Sequence, residues 1–266
     1  MDLADLQFLR EALFELILLG ITGGVLGAWV VLRRLAFFTH ATGSATFPGL
    51  VLADASGVSP TIAGIAVALG YAGGVQRTGR GGRDHGEGTA LLLVAALAIG
   101  VILASDLFES GAVVDRLLFG TVLGLGSTEL LVSGAVAVVA ITAAVLLGRT
   151  WSAVGFDPDG SAALGLPTNR ADMLLLGLIG VAAVAAIPAV GALLVTAVYV
   201  LPAAAARMLT GSVRGLIACA LALAVAEGVI GLYLAYWLDI PPGPPIAVLG
   251  ALVCLGCAAV RRRASA

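Results

Sequence analysis

The stretch ELLVSGAVAVVAITAAVLLG (129–148) decides the fold class of this chain. It is apolar almost throughout, and its one charged residue, Glu129, stands at its start. An α-helix needs about 20 mostly apolar residues to cross the hydrocarbon core of a bilayer. The stretch therefore predicts a transmembrane helix, and comparable stretches recur along the sequence.

The composition points the same way. Of the 266 residues, 60% are hydrophobic and only 11% are charged, whereas soluble domains carry about 25% charged residues. Lipid can cover this excess of apolar surface, and water cannot. The net charge of -2 argues against a nucleic-acid partner, which requires a basic face. We expect a multi-pass protein of a bacterial cytoplasmic membrane, in contact with its lipids.

Nine segments are candidate spans. The second and third are interrupted by Thr, Gly and Ser, and only Pro188 separates the sixth from the seventh. The expected fold is an all-α, polytopic transmembrane bundle with eight or nine spans, forming one domain over residues 1–266. The candidate spans are 14–32, 40–56, 58–75, 89–105, 129–148, 172–187, 189–206, 215–237 and 245–260.

Arginine placement gives the predicted bundle a direction. Cytoplasmic loops of membrane proteins are enriched in arginine and lysine. With the N-terminus outside, every arginine except Arg10 and Arg116 falls on the inner side of the predicted topology. We therefore expect the C-terminus, with Arg261, Arg262 and Arg263, to be cytoplasmic.

Two segments outside the spans have a predicted structure of their own. Leucines recur at helical spacing within residues 3–14, which predicts a short interfacial helix. Residues 149–171 form the largest predicted inner loop. Within that loop, a short helix is expected from about Pro158 to Leu164, with Asp157 as its N-cap.

Five stretches, taken in order, carry a family resemblance over nearly the whole chain. Together they resemble the metal-type ABC transporter permeases, the zinc, manganese and iron uptake family. The stretches are LRRLAFFTHATGSATFPGLVLA (32–53), DRLLFGTVLG (115–124), VGFDPDGSAALGLP (154–167), VGALLVTAVYVLPAAAARML (190–209) and LYLAYWLDIPPGPPI (232–246).

The resemblance implies a transport role shared with partners. It implies a permease that forms a homodimer, binds two cytoplasmic ATP-binding subunits and receives its cargo from an extracytoplasmic solute-binding protein. The sequence contains no P-loop pattern, so ATP hydrolysis is expected on a separate subunit and not on this chain. No permanently bound cofactor is expected, and a transition metal ion is the expected cargo.

His40 and Ser44 occupy the positions that matter most for that cargo. They lie one turn apart on the same helix face, where the family pattern carries an Asp and then a His. His40 is the candidate metal ligand, and its imidazole favours zinc, copper, nickel or iron(II) over magnesium or calcium. The alternative is that His40 only makes a hydrogen bond within the bundle.

Further candidates lie in the later spans. Glu227 is the acid that the predicted spans place deepest, and an ionisable group inside a membrane is a candidate for function. It could equally form a structural hydrogen bond. Thr196 and Tyr199, one turn apart, could line the same pathway, although packing explains them as well.

The inner loop supplies the expected contact with the ATP-binding subunit. The resemblance implies that Phe156, Asp157, Ala163, Leu164 and Gly165 transmit ATPase closure to the membrane helices. The alternative is an ordinary self-capping loop.

Other groups are predicted to play no part in transport. Cys254 and Cys257 form a C-x-x-C inside an apolar span, and we expect them, like Cys219, to be small buried hydrophobic residues. His85, with Asp84 and Glu87, is expected to belong to a solvated loop.

Three alternatives to a metal-ion importer remain open from the sequence. The cargo could be a metal chelate, the chain could be a secondary transporter or channel that works without an ATPase, or it could be a membrane scaffold without cargo.

Overall fold

The structure is a computed structural model that describes residues 3–79, 86–107, 126–192 and 194–264. This part of the chain is all-α, as predicted, and contains eleven helices. They are α1 (Leu3–Leu32), α2 (Ala36–Ala45), α3 (Phe47–Ser56), α4 (Pro60–Thr78), α5 (Gly86–Leu107), α6 (Ser127–Phe156), α7 (Pro158–Ala163), α8 (Thr168–Val190), α9 (Val195–Leu209), α10 (Val213–Leu238) and α11 (Gly243–Ala264). The segment predicted as an interfacial helix, 3–14, is the N-terminal part of α1 and continues without a break into the rest of that helix.

The expected eight or nine spans are wrong. Within the described residues, six helices are long and apolar enough to cross a membrane. The six spans are Arg10–Leu32, Gly86–Ser105, Ser127–Phe156, Thr168–Val190, Val213–Leu238 and Gly243–Arg263.

Three of the nine predicted segments fail for different physical reasons. Residues 40–56 divide between α2 and α3, which have ten residues each and are therefore about 15 Å long, half the thickness of the hydrocarbon core. Most of residues 58–75 lie in α4, which is long enough to cross a membrane. Its glycines and polar residues make it less apolar than the six candidate spans. Residues 189–206 shorten to α9, whose 15 residues reach about 22 Å.

Proline and glycine cause two of these interruptions. Pro48 lacks the N–H that would continue the ladder of α2 to the carbonyl of Ser44, so the chain starts a new helix at Phe47. The α8 helix ends at Gly191, whose φ of 79° suits a residue without a Cβ. A break inside the bundle therefore falls within each of the two segments that carry His40 and Thr196.

Helix α1 forms the centre of the bundle through close contacts of glycine. A Cβ on Gly24 would overlap the backbone of Leu221 in α10, and one on Gly27 would overlap the carbonyl of Tyr199 in α9. A Cβ on Gly20 would stand 3.0 Å from the backbone of Val225 in α10. Small residues allow such backbone approach between membrane helices, so these glycines let α1 pack closely against α9 and α10.

Polar contacts join four helices at one end of the bundle. Arg33, after α1, forms an ion pair with Asp172 of α8 at 2.5 Å. The Gln76 side chain of α4 donates a hydrogen bond to the Asn169 carbonyl of α8. We call this the basic end: the place where the C-terminal ends of α1, α4 and α6 meet the N-terminal end of α8.

We predict that Gly24→Ala destabilises the protein, because the added methyl group cannot fit against Leu221 unless α10 moves. Overpacking of this kind costs about 1–3 kcal/mol. Thermal unfolding of the purified chain in detergent measures the effect. Gly256→Ala in α11 is the control, because a Cβ there meets nothing within 4 Å. Equal melting temperatures for the two variants would refute the close contact.

Candidate permeation and coupling sites

The side chains of His40 and Thr196 meet where two interrupted helices face each other. His40 lies in α2, and Thr196 lies in the first turn of α9. The Nδ1 atom of His40 is 3.2 Å from the Thr196 hydroxyl oxygen, and both side chains are half-buried. The structure thus joins two of the residues that the sequence singled out.

Neighbouring threonine hydroxyls are already engaged by the backbone. The hydroxyls of Thr39, Thr42 and Thr46 donate to the carbonyls of Leu35, Phe38 and Gly43 respectively. These hydroxyls satisfy helix carbonyls near the α2 to α3 interruption, where free backbone groups would be costly. Ser44 is half-buried one turn after His40. His40 and Ser44 are therefore more accessible than these three threonines, which are fully buried.

The α8 to α9 break packs directly on α2. A Cβ on Gly43 would stand 2.9 Å from the Ala192 carbonyl oxygen, so glycine permits the approach. This carbonyl lies between the end of α8 and the start of α9, outside any helix. An imidazole, hydroxyls and backbone oxygen at a helix interruption form a polar region inside an otherwise apolar bundle.

Tyr199 lies away from this polar region. Its side chain is 1% exposed, and its hydroxyl donates to the Ala182 carbonyl of α8 at 3.0 Å. The ring belongs to the core between α1, α8 and α9. Thr196 contacts His40, whereas Tyr199 ties α9 to α8.

Glu227 is buried at a different helix junction. It lies in α10 and is 4% exposed, with Oε2 close to Gly250 of α11, whose own neighbours include the Leu201 side chain. Its Oε1 has no hydrogen-bond partner among the described residues. The carboxyl group is therefore enclosed by α9, α10 and α11, and no contact in the described residues joins it to His40.

A second buried acid, Glu15, escaped the sequence prediction. It is 1% exposed and accepts a hydrogen bond from the Ser133 hydroxyl of α6 at 2.5 Å, while its Oε2 has no partner among the described residues. The predicted division of residues 3–14 from the first span places Glu15 at the edge of the bilayer. One continuous helical pattern ending at Leu32 would have placed it about 25 Å from that end.

The predicted short helix of the inner segment is present as α7. Asp157 is its N-cap, as predicted, because its carboxylate accepts a hydrogen bond from the Gly160 N–H at 2.9 Å. Phe156 is 73% exposed and Leu164 83% exposed. Ala163 is exposed as well, and Gly165 ends the segment at a φ of 76°. The α7 segment therefore presents apolar side chains away from the bundle.

A rigid frame holds both ends of α7. The Trp151 indole N–H of α6 donates to the Ala171 carbonyl of α8 at 3.0 Å. Its ring meets Trp29 of α1 edge to face at 5.3 Å. Arg33 adds its ion pair to Asp172 and a contact with the Trp151 carbonyl at 3.5 Å. The segments that flank α7 are thereby tied to α1, α6 and α8.

Other polar groups form no metal centre within the part of the chain that is described. No group of three His, Cys, Asp or Glu side chains stands close enough there to hold a metal ion. Cys219, Cys254 and Cys257 are free and half-buried. Asp84, His85 and the stretch 115–124 lie outside the described residues.

Comparison with known proteins places this architecture among transporters. Residues 5–261 match the model of the ABC 3 transport family. The chain is 31% identical over 254 residues to the manganese transport system membrane protein MntC of Halalkalibacterium halodurans, covering 93% of this chain and 85% of the relative.

Solved structures show the same fold. The chain is similar to the structure of PsaBC from Streptococcus pneumoniae in complex with Fab, with a TM-score of 0.83, 25% identity, and coverage of 94% of this chain and 90% of the other. It also shares its fold with an inward-facing metal-chelate type ABC transporter, at a TM-score of 0.74, 16% identity, and coverage of 96% and 85%. The chain thus belongs to the ABC 3 transport family and is a multi-pass membrane permease.

Proposed function

We propose that this permease is the membrane-spanning subunit of an ATP-driven importer for a divalent transition metal ion. The observation that carries the proposal is the pairing of His40 with Thr196 at facing helix interruptions. The manganese transport named for a relative 31% identical to this chain supports the same class of cargo.

The ligand chemistry is compatible with a transient metal site. One imidazole, two hydroxyls and nearby backbone carbonyls offer few strong donors, so a partly hydrated ion could bind and leave again. In a homodimer, a second copy would add a second His40. Imidazole suits zinc and iron, whereas oxygen donors suit manganese, and all three ions are candidates.

The energy source lies on partner subunits in this proposal. Two ATP-binding subunits bind the exposed α7 segments of a dimer, and an extracytoplasmic solute-binding protein delivers the ion. Clustered arginines support a cytoplasmic position for the basic end, which is where α7 lies. The frame of Arg33, Trp151 and Asp172 then carries movement of α7 into the membrane helices.

A metal chelate is the second candidate for the cargo. The specific observation that favours it is the altered pair, since His40 and Ser44 stand where the family pattern carries an Asp and a His. A chelate brings its own ligands to the metal and needs fewer from the protein. Competition of free ions against chelates during uptake separates the two cargoes.

We predict that His40→Ala lowers metal uptake by about tenfold or more in proteoliposomes containing the assembled transporter, because an imidazole ligand is worth at least about 1.4 kcal/mol in this proposal. Uptake of manganese, zinc and iron(II) is measured in parallel. Cys254→Ala, in a half-buried position of α11, is the control. Unchanged uptake of all three ions in His40→Ala would contradict a role in the pathway.

We predict that Leu164→Ser uncouples ATP hydrolysis from transport without lowering the thermal stability of the chain. The side chain is 83% exposed, so its loss removes a contact surface and little packing. ATPase activity and uptake are measured on the same preparation. Asp157→Ala provides the comparison, since loss of a cap costs about 1 kcal/mol. Coupled transport at the normal ratio in Leu164→Ser would show that α7 is only structural.

A further inference from the structure

An open groove runs between α4 and α8 at the basic end. The two helices are antiparallel: Gln76 meets Asn169, Gly73 meets Met173, and further along Ala68 meets Gly180. The groove encloses a cavity of about 440 Å³, within the range of small-molecule sites.

The outer end of the groove is cationic. Arg77, in the last turn of α4, and Arg170, in the first turn of α8, both line the cavity and are exposed. Neither arginine forms an ion pair with another described residue, and the cavity lining contains no acid. Asn169 adds an exposed amide, and the N-terminus of α8 has no side-chain cap. This end is therefore suited to an anion.

The inner end of the groove is apolar and faces the lipid. Met173 and Leu174 line it from α8 and are 37% and 53% exposed. Leu69, 42% exposed, continues the apolar wall on α4. Gly73 has no side chain and so leaves the floor of the groove open. A Cβ placed there would have the Met173 methyl group as its nearest neighbour, at 3.4 Å. The cationic end and the apolar channel of the groove are complementary to the anionic headgroup and the apolar chain of an amphiphile.

We propose that the α4/α8 groove binds one anionic phospholipid, with its phosphate between Arg77 and Arg170 and an acyl chain along Met173 and Leu174. Basic pockets between membrane helices on the cytoplasmic side bind such headgroups. The position of the apolar half favours lipid over a cytoplasmic protein, because Met173 and Leu174 lie further into the span Thr168–Val190 than Arg170 and are exposed there. A soluble subunit could reach the arginines but not the channel below them.

Thermal unfolding of the delipidated full chain in detergent tests the proposal. A ligand that binds only the folded state raises the melting temperature in a saturable manner. We expect short-chain phosphatidylglycerol to do so, and short-chain phosphatidylcholine and inorganic phosphate to have much smaller effects. In Arg77→Gln/Arg170→Gln, the half-saturating concentration of phosphatidylglycerol should rise about thirtyfold, while the melting temperature without lipid stays the same.

Two matched variants separate charge from shape. Arg207→Gln/Arg214→Gln removes two other exposed arginines outside the groove, and its lipid response should equal that of the unmodified chain. Gly73→Leu keeps both arginines but fills the channel, and it should abolish the response.

Three results would overturn the proposal. Equal stabilisation by phosphatidylcholine or by inorganic phosphate would show that no anionic lipid is selected. Equal losses in both arginine pairs would reveal a general charge effect. An undiminished lipid response in the groove variants, together with lost binding of the ATP-binding subunit or of a second copy, would make the groove a protein interface.

Discussion

The rest of this structure depends on the requirement that backbone groups inside a membrane be satisfied by the protein itself. Continuous helices meet it automatically, and interrupted helices must compensate. The Thr46 hydroxyl donates to the Gly43 carbonyl beside one interruption, and the N–H groups of Leu194 and Val195 both donate to the Gly191 carbonyl at the other. Because the two interruptions pack together, they also create the polar region in which His40 meets Thr196. The two interruptions thus shorten two of the predicted spans and build the candidate pathway.

The sequence predicted those features that depend on local chemistry. The apolar runs predicted an all-α membrane protein, and Asp157 followed by Pro158 predicted the cap and start of α7. The motifs predicted the family, because they are patterns of adjacent residues. The span count failed because Pro48 and Gly191 divide two apolar segments into shorter helices. In addition, the glycines and polar residues of α4 leave it less apolar than a span. Glu15 was missed for a related reason: its burial depends on α1 being continuous and on Ser133, 118 residues away.

Long-range pairings were beyond the reach of the sequence. Nothing in the local pattern of residues 33 and 172 predicts that an arginine after α1 pairs with an aspartate near the N-terminal end of α8. The neighbours of Glu227 are equally distant, on α9 and α11. Thr196 and Tyr199, although one turn apart, serve different contacts because the first faces α2 and the second faces α8. Their helical spacing suggested a shared role, but in the folded protein the two side chains contact different helices.

Residues 169–172, near the N-terminal end of α8, join the two proposed sites of the basic end. Successive residues on a helix point about 100° apart, so four in a row face every direction. Asn169 and Arg170 face α4 and the groove, while Ala171 and Asp172 bind Trp151 and Arg33 in the frame that holds α7. A ligand that fixes Arg170 therefore also restrains the backbone that carries Asp172. If both proposals hold, lipid in the groove and an ATP-binding subunit on α7 would act on the same turn of helix, and each would change the free energy of binding of the other.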